Sequence, residues 1–365
     1  MSIAIQGTGP PSAPLRRIAV FGAGGFIGSH LVAHLLDTTD IEIEAIDLTF
    51  DKLDTRSERI TRITGSVRDP TIIQGPVERC DAVLSLTALC NPSLYNTRPL
   101  EVIDASYTDL VPLTDLCATR HRWLLHFSTC EVYGRLPLDS DGKRLTAMAE
   151  DVTALFLGPV PRERWTYACA KQLLERRIWA LGVHDDMPFT IIRPFNVIGP
   201  RMDFVPGIDG DGIPRVLACF MHALMAGHDL PLVDGGTRRR SFVAIDDFVA
   251  GIGDILKHPD ACRGEIINLG NPGNDVSIAE LAAMLARTYA ARVPGSRVAV
   301  LRRVSAAEFY GDGYDDSIDR IPDITKAAHL LAWEPRIPLA DILPEVVDDY
   351  VGRYGEALGA VAGQR

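Results

Sequence analysis

A hydroxyl, a thiol and a carboxylate stand side by side where an apolar segment ends, in the stretch FSTCEVYG at residues 127–134. Thr129, Cys130 and Glu131 form this polar tip, directly after the apolar run WLLHF. Together they could hydrogen-bond a ligand or exchange protons with it. Polar residues are also ordinary at strand ends, so only the surrounding elements can indicate whether this tip is functional.

Tyr167 and Lys171 are four residues apart in the segment WTYACAKQLLERRIWALGV (165–183), whose apolar stripe predicts a helix. This spacing places the phenol and the ammonium group on one helix face. A phenol with a pKa of about 10 is a poor base at neutral pH, but a nearby cation favours the phenolate. Tyr167 is therefore a candidate general base toward a hydroxyl that loses hydride. Such pairs also occur by chance on helix surfaces.

A glycine-rich loop, GAGGFIG at residues 22–28, follows an apolar strand and opens a helix. Its glycines permit a tight turn, close approach of a pyrophosphate to the helix N-terminus, and close helix–strand packing. The next strand ends at Asp47, whose carboxylate can bind an adenine ribose and would repel a 2′-phosphate. A turn without a ligand is the alternative, but this context predicts NAD. The predicted contacts in the loop are Gly22, Gly25, Phe26, Ile27 and Gly28.

Short apolar strands alternate with helical stretches from Arg17 onward. RIAVFGAG, IEIEAIDL, DAVLSLTAL and WLLHFSTC predict strands, whereas FIGSHLVAHLLDT and residues 101–119 predict helices. This alternation is typical of a parallel sheet with helices on both faces, a Rossmann-like doubly wound α/β fold. Ligands of such folds bind at the carboxyl ends of the strands.

The segments after residue 200 differ in character and predict a smaller α/β substrate-binding domain over residues 201–365. We interpret residues 1–14 as a flexible tail and residues 15–200 as the NAD-binding domain. The segments RRSFVAIDDFVAGI and EIINLG predict returns to the NAD-binding domain near residues 238–270. SIAELAAMLARTYAARV and LADILPEVVDDYVGRYGEAL predict amphipathic helices in the smaller domain.

Composition and charge limit the kinds of partner that the chain can have. Its 365 residues are 47% hydrophobic and 23% charged, as in ordinary globular proteins. A net charge of −11 argues against nucleic acid or an anionic membrane as partners, so specific arginines must hold any anionic ligand. No apolar leader or membrane-spanning run occurs, which favours a cytoplasmic location. Seven cysteines without a CxxC pair predict neither a disulfide framework nor a metal site.

Several longer stretches resemble the extended short-chain dehydrogenase/reductase superfamily, and within it the UDP-glucuronate decarboxylases. The similarity is greatest to the decarboxylase domain of the bacterial polymyxin-resistance enzyme and runs from about residue 17 to residue 349. The stretches that carry it are GGFIGSHL, STCEVYG, GPVPRERWTYACAKQLLERRIWA, TIIRPFNVIGPRMD, DGGTRRRSF, GEIINLGNPGN and YGDGYDDSIDRIPDI.

The resemblance implies NAD-dependent decarboxylation of UDP-glucuronate to UDP-4-keto-pentose, UDP-xylose or both, by a cytoplasmic homodimer. Tyr167 would act as base with Lys171 beside it, while Thr129 would hydrogen-bond the oxygen on C-4. Glu131 would orient a water or donate the proton to C-5. Arg320 would bind the substrate carboxylate and then the enolate formed when carbon dioxide leaves.

Two positions depart from the family pattern. Cys130 stands where a serine is usual in these decarboxylases, and a thiol is a weaker hydrogen-bond donor than a hydroxyl. We expect Cys130 to change how long the keto intermediate stays bound or which product leaves. Ser66 stands where the family usually has an aspartate at the adenine; Ser66 and the adjacent Val67 remain predicted cofactor contacts.

The resemblance also implies a set of contacts with the UDP-sugar: Cys90, Tyr95, Arg164, Asn196, Arg201, Arg240 and Tyr314. Arg240 belongs to an arginine cluster that suits a diphosphate, although a solvated basic turn is the alternative. A UDP-sugar 4-epimerase needs no Arg320, and a 4,6-dehydratase would favour an acid at position 130. A non-catalytic NAD-binding regulator would be expected to lack the Tyr/Lys pair.

Overall fold

A computed structural model of the chain describes residues 14–135, 147–310 and 320–359. The predicted tail lies almost entirely outside these ranges. The strands are β1 (Arg17–Phe21), β2 (Glu42–Asp47), β3 (Ile60–Thr64), β4 (Ala82–Ser85), β5 (Trp123–Phe127), β6 (Phe189–Pro194), β7 (Val197–Ile198), β8 (Leu230–Val233), β9 (Arg239–Ser241), β10 (Val243–Ala244), β11 (Glu265–Leu269), β12 (Asp275–Ser277) and β13 (Leu301–Val304).

Helices connect these strands and cover the central sheet. They are α1 (Phe26–Thr38), α2 (Pro70–Arg79), α3 (Pro92–Thr97), α4 (Pro99–Ser106), α5 (Val111–Thr119), α6 (Thr166–His184), α7 (Val216–Met225), α8 (Ile245–Lys257), α9 (Pro259–Cys262), α10 (Ile278–Arg292), α11 (Ala306–Tyr310), α12 (Thr325–Leu331) and α13 (Leu339–Leu358). Among the described residues, no helix is long and apolar enough to cross a membrane.

The central sheet has seven parallel strands in the order β11-β6-β5-β4-β1-β2-β3. The strands β4 and β5 are buried along their whole length, as their unbroken apolar sequences require of strands covered on both faces. The order reverses beside β1, and at such a switch point the carboxyl ends of the strands leave a crevice for a ligand. The prediction of a Rossmann-like doubly wound fold is confirmed.

Residues far along the chain return to this sheet. The strand β11 pairs in parallel with β6, and α8 packs against α1, the helix that follows the glycine loop. A second hydrophobic core lies among α7, α10 and α13, beside the short strands β8 and β13. The helix α10 begins with a capping box in which Ser277 and Glu280 satisfy each other's backbone N–H groups.

Two local predictions were wrong. The single helix predicted over residues 101–119 is interrupted, because α4 ends at Ser106 and α5 begins only at Val111. Pro112 lies in the first turn of α5, where its missing N–H is tolerated, but its ring does not fit a helix continuing through that point. The strand β3 was not predicted, because as an edge strand it is largely exposed and lacks an apolar run.

Candidate active site

A cavity of about 480 Å³ lies where the carboxyl ends of the central strands meet the second hydrophobic core. The glycine loop lines one part of it, through all five residues predicted to contact the cofactor there. The strand tip, the α6 helix and loops of the second core line the rest. The structure brings these predicted substrate and catalytic residues together: Cys90, Tyr95, Thr129, Cys130, Glu131, Arg164, Tyr167, Asn196, Arg240 and Arg320.

The glycine loop has the backbone geometry that a dinucleotide requires. Gly22 has a φ of +91°, and Gly25 caps α1 without a side chain, so the first N–H groups of the helix face the cavity. A Cβ atom on Gly28 would lie 2.1 Å from the Gly22 carbonyl oxygen. Asp47 accepts hydrogen bonds from the N–H groups of Gly24 (2.8 Å) and Leu48 (2.7 Å) and is thereby fixed at the end of β2.

Two buried hydroxyl groups near the glycine loop and the cavity have no hydrogen-bond partner among the described residues. The Oγ atoms of Thr87 and Ser128 are buried and make no hydrogen bond within the described part of the chain. Thr87 lies directly against Gly22, and Ser128 lines the cavity at the end of β5. Buried hydroxyl groups are normally hydrogen-bonded, so these two atoms suit a polar ligand in the crevice. The loop, Asp47 and both hydroxyl groups fit NAD.

Ser66 and Val67 lie beyond the end of β3, outside the cavity lining. The Gly65 N–H group donates to the Asp47 carbonyl (3.0 Å), so the ends of β2 and β3 are side by side. The Ser66 hydroxyl accepts a hydrogen bond from the Arg68 N–H group (3.2 Å) and begins a turn. The contact of Ser66 and Val67 with the adenine stays a prediction. Their position beside the end of β2 is compatible with it.

Tyr167 and Lys171 are buried on the same face of α6. The Tyr167 hydroxyl lies 3.4 Å from the Cys90 sulfur, and its ring stacks on Tyr95 with centroids 5.1 Å apart. Lys171 is 1% exposed and donates to the Phe127 carbonyl oxygen at the end of β5 (3.0 Å). Burial raises the pKa of Tyr167 well above its usual value and lowers that of Lys171 to about 8. Proton transfer by Tyr167 therefore needs further positive charge nearby.

Glu131 is held by two buried arginines. Its carboxylate oxygens accept hydrogen bonds from Arg164 at 3.0 Å each, and one oxygen also accepts from Arg320 at 2.5 Å. The three side chains are only 12%, 6% and 7% exposed, respectively. Ion pairs in such surroundings are strong, and a carboxylate there requires cationic partners. Sequence reasoning did not foresee that Arg164 pairs with Glu131.

The polar tip itself forms a tight 3-10 turn over Cys130–Tyr133. The Thr129 hydroxyl caps this turn by accepting from the Glu131 N–H group at 3.2 Å. Cys130 is buried, and burial raises the pKa of its thiol to about 11. Cys130 is therefore a neutral thiol at physiological pH, which excludes a thiolate role in the free protein.

Most of the other residues predicted to contact the substrate line the same cavity as the Cys130–Tyr133 turn. Arg164 lies over the ring of Tyr95, 5.4 Å from its centroid, and Cys90 is exposed in the loop after β4. The Asn196 side chain donates to the Ser241 carbonyl (2.8 Å), and the adjacent Arg240 is 8% exposed. Burial of Arg240 favours a role in the cavity over a solvated basic turn.

Arg201 is not among the residues that line the cavity, and its contact with the substrate stays a prediction. Its guanidinium group donates to the Lys52 carbonyl (2.6 Å) and contacts the His30 ring (3.2 Å), and its backbone N–H donates to Asp349 (2.8 Å). These contacts join α1, the loop after β2 and α13. Tyr314 lies outside the described residues.

Sequence reasoning missed several cavity residues that lie after residue 200. They include Met202, Arg215 and Phe309. Met202 and Arg215 lie in the irregular stretch between β7 and α7, and long irregular segments often carry binding residues. Phe309 has no motif around it and reaches the cavity only through long-range packing.

The fold and this cavity define a dinucleotide-dependent enzyme of the doubly wound α/β class. Residues 18–270 match the NAD dependent epimerase/dehydratase family, and the chain belongs to that family. The predicted superfamily and the predicted cofactor, NAD, are thus confirmed.

Known proteins similar to this chain span nearly its whole length. It is 42% identical to UDP-D-apiose/UDP-D-xylose synthase 1 of Arabidopsis thaliana, over 96% of this chain and 95% of that protein. It is 40% identical to UDP-D-apiose/UDP-D-xylose synthase of Oryza sativa subsp. japonica, over 96% and 92%. The PbgP3 protein of Burkholderia pseudomallei has a similar structure, with a TM-score of 0.81, 30% identity, and coverage of 95% of this chain and 99% of that chain.

The fold is also shared with more distant enzymes. A UDP-glucuronic acid 4-epimerase from Bacillus cereus, solved with UDP-glucuronic acid and NAD, superimposes with a TM-score of 0.75. Its identity is 23%, with coverage of 93% of this chain and 100% of that chain, so the likeness concerns the fold alone.

Substitution of Gly28 by alanine tests the cofactor site. Because the new Cβ would meet the Gly22 carbonyl oxygen at 2.1 Å, the loop must shift. We expect Gly28→Ala to weaken NAD binding by about tenfold or more, measured by isothermal titration calorimetry. The control is Gly352→Ala on α13, where a Cβ meets nothing within 4 Å. Equal NAD affinity in both variants would contradict this assignment.

Proposed function

We propose that this chain catalyses NAD-dependent decarboxylation of UDP-glucuronate. The observation that carries the proposal is the nearly buried carboxylate of Glu131, which pairs with Arg164 and Arg320 close to α6, the helix that carries Tyr167. Arg320 gives an acidic sugar a cationic partner within the cavity, and Arg240 suits its diphosphate. The similar plant proteins are named for UDP-xylose, the pentose that remains when glucuronate loses its carboxyl carbon.

The first step oxidises C-4 of the sugar. NAD, when bound, accepts the hydride from this carbon. Tyr167 takes the proton of the C-4 hydroxyl, and Thr129 hydrogen-bonds the same oxygen as it becomes a carbonyl. Lys171 lies one helical turn from Tyr167, and its positive charge favours the phenolate.

The second step releases carbon dioxide. A ketone at C-4 places the carboxylate β to a carbonyl, so the electron pair of the breaking bond is delocalised as an enolate. Arg320 binds the carboxylate and then stabilises the enolate, while Glu131 directs a proton back to C-5. Both groups are nearly excluded from water, which strengthens these interactions.

The keto-pentose can leave, or the enzyme can reduce it to UDP-xylose before it escapes. The names of the plant relatives add UDP-apiose, a branched isomer of UDP-xylose. We propose UDP-apiose as a further product here, because rearrangement of the carbon skeleton before reduction reaches it from the same intermediate. The cavity would then control how the intermediate divides among three products.

Two other activities of the fold explain the site less well. A UDP-sugar 4-epimerase has no use for Arg320 paired with Glu131, although one structural neighbour is an epimerase. A 4,6-dehydratase needs an acid at position 130, where this chain has a neutral buried thiol. A non-catalytic regulator would not need the buried Tyr167 and Lys171 pair.

The direct test is incubation of the protein with UDP-glucuronate and NAD. We expect carbon dioxide and UDP-pentoses, identified by mass and NMR. Tyr167→Phe removes the base and should lower turnover by about a hundredfold or more. Tyr289→Phe, in the second hydrophobic core, should retain activity. A product of unchanged mass would identify an epimerase and exclude the proposal.

A second test concerns Cys130, which replaces the serine expected in this family. Cys130→Ser introduces a stronger hydrogen-bond donor into a buried position beside Glu131. We expect the ratio of UDP-4-keto-pentose to UDP-xylose and UDP-apiose to change, as measured by NMR. Cys80→Ser makes the same substitution just before β4, at the amino ends of the strands and away from the cavity, and should leave the ratio unchanged. An unchanged ratio in Cys130→Ser would remove Cys130 from control of the products.

We also propose that the chain forms a homodimer through α6. The exposed residues of this helix recur at intervals of three and four and form a mostly apolar stripe: Cys169, Leu173, Arg176, Ala180 and Val183. A seam with this spacing is suited to pack against another helix. Leu100 and Ile103 on the adjacent α4 are also exposed and extend the apolar surface. A second copy of the chain presents the same surface, as a two-fold dimer requires.

Leu173→Glu tests this interface by placing a charge in the middle of the stripe. We expect the variant to be monomeric at concentrations where the wild-type chain is dimeric, measured by sedimentation velocity. Val298→Glu places the same charge at another exposed position and should leave the dimer intact. A monomeric wild-type chain, or a dimeric Leu173→Glu variant, would contradict the proposed interface.

A further inference from the structure

A buried asparagine lies behind the candidate active site, outside the cavity lining. Asn268 on β11 is fully buried, and its side-chain NH₂ group donates to the carbonyl oxygens of Met148 (2.8 Å) and Asp323 (3.0 Å). Its side-chain oxygen accepts from the Tyr133 hydroxyl (2.9 Å). The Asn268 backbone N–H donates to Glu150 (2.7 Å). Both donors and the acceptor of the amide are therefore in use.

These partners belong to the two segments that carry Glu131 and Arg320. Tyr133 ends the 3-10 turn that contains Glu131. Asp323 lies just after Arg320, and two backbone hydrogen bonds of 2.8 and 2.9 Å join Met148 to the segment that follows Arg320. The amide of Asn268 thus links the two segments on the side away from the cavity. The Glu131 carboxylate and the Arg320 guanidinium group meet on the side that lines it.

The same buried network continues to the helix of Tyr167 and Lys171. Arg193 on β6 lies over the Tyr133 ring, 4.7 Å from its centroid. Arg193 also makes two hydrogen bonds with Glu175, at 3.0 and 2.7 Å, and both side chains are almost fully buried. Glu175 follows Lys171 by one turn of α6. The helix is held by this pair and does not depend on the Asn268 amide directly.

We propose that Asn268 is a positioning residue for decarboxylation, which sets the placement of Arg320 relative to Glu131 without touching substrate or cofactor. The inference rests on the proposed function. An amide is suited to this position because it offers two donors to two carbonyl groups and one acceptor to a hydroxyl. Aspartate has the same shape but presents only oxygen atoms to the carbonyls of Met148 and Asp323, which forces the segments apart.

The two chemical steps depend on Asn268 to different degrees. Oxidation at C-4 uses Tyr167, which α6 holds, and Thr129, which stands at the start of the turn, next to Ser128, whose N–H group donates to the Ile192 carbonyl of β6 (2.8 Å). Loss of carbon dioxide uses Arg320 and Glu131, whose segments Asn268 joins. A small misplacement of a catalytic group is enough to slow the step that uses it. Disruption of the amide therefore slows the second step selectively.

The experiment is a single turnover of Asn268→Asp with UDP-glucuronate and NAD. NADH is followed by absorbance and carbon dioxide by release of label from the carboxyl carbon. We expect carbon dioxide release to slow by about tenfold or more, while NADH formation stays within about twofold of wild type. Tyr133→Phe removes only one of the three side-chain hydrogen bonds and should give a smaller effect in the same direction.

Asn274→Asp is the matched control for loss of a buried amide. The Asn274 side chain donates to the Ile337 carbonyl (2.9 Å) and accepts from the Leu339 N–H (2.8 Å), at the start of α13. Its substitution should lower stability but keep the ratio of the two rates. If NADH formation and carbon dioxide release fall in parallel in Asn268→Asp, or neither changes, the positioning role is refuted.

Failure of the proposed function has a different signature. Wild-type protein that releases no carbon dioxide from UDP-glucuronate would exclude decarboxylation before any variant is compared. The crystal structure of Asn268→Asp then tests the placement by itself. An unchanged contact between Arg320 and Glu131 would overturn the inference, whereas separation of the two groups would support it.

Discussion

The burial of one carboxylate, Glu131, constrains the whole site. A negative charge that is nearly removed from water must have cationic partners, and here Arg164 and Arg320 come from segments far apart in the chain. Arg164 lies in the short 3-10 turn Glu163–Trp165 that leads into α6, so its ion pair also helps to place the first turn of this helix, which carries Tyr167. The strand tip, the base and the Arg320 segment can therefore converge only in one arrangement.

Two guanidinium groups from separate segments of the chain face the carboxylate of Glu131 inside the cavity. A substrate carboxylate would be repelled by Glu131 alone, but it can share Arg320 with that residue. A neutral sugar offers no such charge and gains nothing from Arg320. In a protein with a net charge of −11, the buried arginines Arg164, Arg240 and Arg320 distinguish the cavity from the surrounding surface.

Much of the fold was predictable. Its central strands are short, apolar and buried on both faces, and the glycine-rich turn after β1 marks the start of α1. The Tyr167 and Lys171 pair was predictable from spacing along one helix. The edge strand β3 was not predicted because it is exposed, and the contacts of Arg201 with α1 and α13 were not predicted because these partners are distant in sequence. Asn268 lies within the stretch GEIINLGNPGN, but its sequence neighbours do not indicate its role, which only its long-range contacts reveal.

The electrostatic surroundings of Tyr167, the candidate base, explain why the cofactor must be bound before the substrate can be oxidised. Burial raises the pKa of Tyr167 and lowers that of Lys171, so the two groups alone favour an unreactive phenol. Tyr167 can release its proton only when additional positive charge lies beside it, as the oxidised nicotinamide ring provides. Reduction of a bound nicotinamide ring would remove that charge, and Tyr167 would then favour its protonated form again. The same phenol is then ready to return a proton when the ketone is reduced, so the oxidation and the final reduction need only one acid–base group.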